Sequence, residues 1–169
     1  MSKSKEEPLA SIAEVPPDNP DAGKNTITSP KNFRETLLGL ARNAIGRTKA
    51  GDQIALVIAN ALKDCRVDLP FPQLYGGKCA ALYHASRERG LFITAPAKPE
   101  PGDIVMIERA HTQTYRLGVV LSAEPGKYTV AVSWLFTDNE NTVKELTTDA
   151  GLHGLDWNPQ WSVRGFVRI

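Results

Sequence analysis

The sequence predicts an α+β domain in which N-terminal helices pack on a C-terminal antiparallel sheet, and three observations carry that reading. Between Ser29 and Gly90 the apolar residues recur at three- and four-residue spacing, the period of one helix face. After Pro101-Gly102-Asp103 the period changes to two, and the segments become rich in β-branched and aromatic residues. The chain has 169 residues, 41% of them apolar and 23% charged, which suits one domain with a real core and excludes wholesale disorder. Helices grouped ahead of strands, rather than alternating with them, are the α+β pattern.

Ser29 and Pro30 suit a helix start, and Phe33, Leu37, Leu40, Ala41, Ala44 and Ile45 give that helix its apolar face until Gly46 ends it. A second helix is predicted from about Asp52 to Asp64, with Ile54, Val57, Ile58, Ala61 and Leu62 on one side. Asp68 to Gly77 holds Pro70, Pro72 and the Gly76-Gly77 pair, so it reads as a loop. A short third helix runs from Cys79 to Arg89 and closes on Gly90 at its C′ position. Strands are predicted at IVMIE (104–108), YRLGVVLS (115–122), KYTVAVSWLF (127–136) and SVRGFVRI (162–169), with Glu124-Pro125-Gly126 as a turn signal. The stretch from Thr142 to Trp161 has no strong pattern and reads as a long loop.

Charge divides the chain in two. Residues 1–30 carry three lysines against five carboxylates, and the whole chain is +1, so the arm is −2 and residues 31–169 are +3. The arm also holds Pro8, Pro16, Pro17, Pro20 and Pro30 and few large apolar residues, a composition predicted to be extended or disordered on its own. The near-neutral total argues against a nucleic-acid binder and offers no polybasic membrane patch. No apolar signal region and no run of about 18 apolar residues is present, so synthesis in the cytoplasm without a signal peptide is expected.

Two cysteines make neither a disulfide scaffold nor a four-thiolate zinc site. The three histidines show no zinc spacing and no EF-hand loop is present, so no metal and no cofactor is expected. Cys65, near the end of the second helix, reads as core. Cys79 is different. It follows Gly76-Gly77-Lys78 and opens a helix, where unsatisfied backbone N–H groups and the helix dipole favour a thiolate.

The order of a helix, a loop, a cysteine at a helix N-terminus, PGDIV opening a sheet and a strand ending in LGVV resembles the CHAP family (cysteine, histidine-dependent amidohydrolase/peptidase) and its NlpC-type relatives. The matching segments are ARNAIGRTKAGDQIALVIANAL, KCAALYHASRERG, KPEPGDIVMI, YRLGVVLS, NENT and RGFVRI, together spanning about residues 35 to 169. The resemblance implies a papain-like fold and, by ancestry, cleavage of peptidoglycan amide bonds of the kind found in phage endolysins and tail proteins. It places Cys79 on the family's nucleophile. The family's histidine, two residues before the glycine of an HVGIV-like strand, is replaced here by Arg116. Arginine stays protonated and cannot exchange the proton that amide hydrolysis moves, a deficit of roughly 10²–10⁴ in rate. Asn141, in NENT, falls on the family's orienting residue.

The chain's three histidines are the other candidates for a base. His111 lies five residues before Arg116, an odd offset that sets it on the opposite side of a continuous strand unless a turn or bulge re-aims it. His84 lies on the Cys79 helix but well round the cylinder, and His153 sits in the glycine-rich AGLHGL segment. Trp134, Trp157 and Trp161 are candidates for a sugar-stacking surface or for anchors of the sheet. Two functions follow from the resemblance. One is a degenerate, non-catalytic structural or binding part of a phage tail or baseplate, virion-associated and joined to other phage structural proteins through residues 1–30. The alternative is an active phage cell-wall hydrolase that attacks peptidoglycan through Cys79.

Overall fold

The computed structural model describes residues 30–73, 78–110, 112, 114–137, 140–149 and 160–169, with the side chains of all of these except 30, 31, 134–137, 140 and 149. The arm up to Ser29, His111, His153 and Trp157 therefore lie outside the described residues.

Among the described residues three helices form as the apolar spacing dictates. Helix α1, Pro30–Ala44, buries Phe33, Leu37, Ala41 and Ala44 and is followed by Gly46 at φ 80°. Helix α2, Gln53–Asp64, starts at Asp52, whose carboxylate accepts from the Ala55 N–H at 3.0 Å. Helix α3, Cys79–Glu88, ends at Arg89, and Gly90 takes φ 68°, a left-handed conformation that glycine adopts at little cost. No helix among the described residues is long and apolar enough to cross a membrane.

Among the described residues seven strands make one antiparallel sheet: β1 (Thr48–Lys49), β2 (Phe92–Thr94), β3 (Ile104–Arg109), β4 (Thr114–Glu124), β5 (Lys127–Thr137), β6 (Glu140–Asp149) and β7 (Trp161–Val167). Their spatial order is β1-β6-β5-β4-β3-β7-β2. The four predicted strands are β3, β4, β5 and β7. Strand β6 corrects the loop expected from Thr142, because it pairs with β5 from Lys127↔Asp149 to Thr137↔Glu140. Its sequence, ENTVKELTTD, is mostly polar and gives little alternation, so the long neighbouring β5 supplies the ladder that the strand's own pattern does not announce. Strands β1 and β2 span two and three residues and carry no pattern of their own.

The sheet sorts its residues by parity. Ile104, Met106, Leu117, Val119, Leu121, Ala131 and Val143 face the helices and join their core. Val105, Ile107, Val120, Tyr128, Val130, Val132, Val163 and Phe166 form a second buried cluster on the other face. The Tyr128 and Phe166 rings meet edge to face at 5.7 Å although β4 and β3 lie between their strands. A flat sheet would hold those strands roughly 14 Å apart, so this face is concave.

Two predictions arise from the concave face. A Cβ on Gly118 would lie 2.6 Å from both Val105 and Val130, so Gly118→Ala is expected to cost about 1–3 kcal/mol of stability in urea unfolding. The Tyr128 hydroxyl is buried with no hydrogen-bond partner among the described residues, and burial raises its pKa. Tyr128→Phe removes that orphan and is expected to raise stability by about 1 kcal/mol, read as a higher urea midpoint.

Candidate functional site

Lys78, at φ 66°, turns the chain into α3 and sets Cys79 as the first helical residue. The thiol is 5% exposed and belongs to the helix-facing core. Burial and, second, the Asp52 carboxylate push its pKa up to about 11, while its own backbone N–H opposes them. This reverses the thiolate expected from the helix start. A helix terminus contributes about 0.3–1 kcal/mol, less than one pKa unit, and burial in the core outweighs it.

Asp52 links the neighbourhood. Besides capping α2, its carboxylate interacts with the Ser133 hydroxyl and feels the charge of Arg116. Burial nevertheless raises its pKa, against those hydrogen bonds and that cation. The Ser133 Oγ also accepts from the Ile54 N–H at 3.0 Å, which ties the start of α2 to β5. Neither Asp52 nor Ser133 was a sequence-predicted site residue. Asp52 carries the signal of a helix cap, and only packing sets that cap within electrostatic reach of a cysteine 27 positions later.

Arg116 lies on β4 opposite Ile107, a residue of the concave cluster, whereas its neighbour Leu117 faces the helices opposite Met106. Its guanidinium lies 5.0 Å over the Trp161 ring and donates through Nη1 to the Ser133 carbonyl at 3.2 Å. Burial lowers its pKa and Asp52 opposes the shift. Arg116 and Cys79 thus belong to opposite sides of the sheet. The β4 residue that meets α3 is Tyr115, whose ring stacks on Tyr83 at 5.3 Å. One residue of register separates the two outcomes, because successive side chains alternate faces.

Asn141 is buried on β6, opposite Lys49 of β1 and Leu135 of β5. It lies two positions before Val143, the partner of Ser133, and so shares the helix-facing side. His84 is exposed on α3 beside Tyr83, with ring centroids 5.2 Å apart. The His111 and His153 expectations fall outside the described residues. Trp161 serves Arg116 and the concave cluster, while Cys65 is buried in the core as expected and both cysteines are free. Among the described residues no group of three or more His, Cys, Asp or Glu is placed to hold a metal ion.

Among the described residues the groups acting on Cys79 are therefore a carboxylate and a backbone N–H, with no imidazole. This arrangement keeps the thiol protonated at neutral pH. No family model and no curated protein sequence matches the chain.

Proposed function

We propose that the chain is a CHAP-like domain of papain-like ancestry that no longer hydrolyses amides and serves as a structural or binding part of a phage tail or baseplate. The single observation that carries the loss of catalysis is the state of Cys79: buried, held protonated by burial and by the Asp52 carboxylate, and acted on by no imidazole among the described residues. Thiol attack needs the thiolate, and a nearby carboxylate opposes its formation. Arg116, at the position that the resemblance assigns to the base, is engaged by the Trp161 ring of the concave face and by the Ser133 backbone carbonyl. The helix, cysteine and strand order of the family supports the ancestry, and its members in phage tails supply the setting.

Peptidoglycan release by the purified protein tests this reading. Wild type, Cys79→Ala and Arg116→His are all expected to release no more than the buffer blank. Arg116→His stays inactive because the new imidazole would sit on the concave face. Robust release that Cys79→Ala abolishes would overturn the proposal in favour of a cell-wall hydrolase.

A further inference from the structure

A groove of about 380 Å³ lies between the loop before β3, with Pro96, Lys98 and Pro99, and the β4–β5 hairpin, with Glu124, Pro125 and Lys127. We propose that this groove seats residues 14–21, EVPPDNPD, of the chain's own N-terminal arm. The inference is independent of the phage reading.

Three observations converge on that occupant. The first is the tether. Arg34 of α1 is paired with Glu100 and Asp103 at 2.8 Å each, and a Cβ on Gly102 would lie 2.9 Å from the Arg34 Cβ. Arg168 then joins Asp103 to the Lys98 carbonyl, so α1 is clamped onto the turn that continues the groove wall. The arm joins α1 at Pro30, four residues and roughly 6 Å of helix before Arg34. The eight residues from 22 to 29 reach up to roughly 26 Å when extended, and a short tether of this kind gives millimolar effective concentration.

Charge is the second observation. Residues 14–21 contain Glu14, Asp18 and Asp21 and no lysine or arginine. Lys98 and Lys127 are exposed on the two walls, and neither joins an ion pair among the described residues. Glu124 opposes them, and Glu100, which also feels Lys98, is already paired with Arg34 and Arg168. The third observation is shape. Pro16, Pro17 and Pro20 pre-set an extended backbone that loses little entropy on docking, and Pro96, Pro99 and Pro125 offer an apolar wall to it.

The full-length protein provides the test. Zero-length carbodiimide coupling of a mixture of ¹⁴N- and ¹⁵N-labelled chains, followed by peptide mass spectrometry, is expected to join Glu14, Asp18 or Asp21 to Lys98 or Lys127 within one isotope. Cleavage after Glu14 by a glutamate-specific protease is expected to accelerate about 30-fold in Lys98→Glu/Lys127→Glu, the size of two exposed ion pairs at the upper end of their range. Wild-type protein moved from low to high salt should show the same trend without any substitution. Couplings found only between isotopes would assign the groove to a second copy and overturn the proposal. So would the absence of arm–groove couplings, or cleavage indifferent to both charge reversal and salt.

Discussion

Asp103→Ala is expected to cost about 3–5 kcal/mol and to lower the thermal midpoint by roughly 10 °C, read by circular dichroism melts and urea unfolding. Asp103 is fully buried at the start of the sheet. Its carboxylate accepts from Arg34 Nη2 at 2.8 Å, from Arg168 Nε at 3.1 Å and Nη2 at 2.8 Å, and from the Glu100 N–H at 2.8 Å. Removing it leaves the Glu100 amide without its acceptor and two half-buried guanidiniums with Glu100 as their remaining carboxylate, and the loss of the buried counter-charge dominates. Asp103→Asn should restore little, because an amide neutralises neither arginine. Glu100 meets the same two arginines with its side chain 48% exposed, so Glu100→Gln should cost about 1 kcal/mol or less. A comparable loss from both substitutions would remove Asp103 from its role as the clamp between the first helix and the last strand.

At pH 7 Cys79 is expected to react with iodoacetamide about 100-fold more slowly than an unperturbed thiol, because its pKa rises from 9.0 to about 11 and only the thiolate attacks. The same shift makes stability depend on pH. Below pH 9 the thiol is protonated in both folded and unfolded chains and contributes no slope. Between the ordinary 9.0 and the folded value of about 11 the unfolded thiol ionises first, so stability falls as pH rises. The loss attributable to this group approaches about 2–3 kcal/mol, and Cys79→Ala should lack that part of the slope in urea unfolding between pH 8 and 11. Rapid alkylation at pH 7 would reinstate an activated nucleophile and weaken the non-catalytic reading.

Helices α1, α2 and α3 could be read from the chain because each carries its own apolar period and its own end signals, Gly46, Asp52 and Gly90 among them. Strands β3, β4, β5 and β7 were readable for the same local reason. Strand β6 was not, since ENTVKELTTD has the composition of a surface segment and becomes a strand through its pairing with β5. The candidate site divides along the same line. That Cys79 opens a helix was evident from the glycines and lysine before it. That burial decides its ionisation, and that Asp52 stands near it, depends on residues far apart in the chain.

Local chemistry alone therefore set the helix and strand order, the near-neutral balance of an acidic arm and a basic domain, and the place of a cysteine at a helix start. Packing set the rest. A single step of strand register sends Arg116 to the concave face and Tyr115 to the helices, and no composition or spacing announces which of two adjacent residues will face which side. Burial set the chemistry of Cys79, because the cost of an ion in a core depends on what surrounds it, and those surroundings come from every element of the fold.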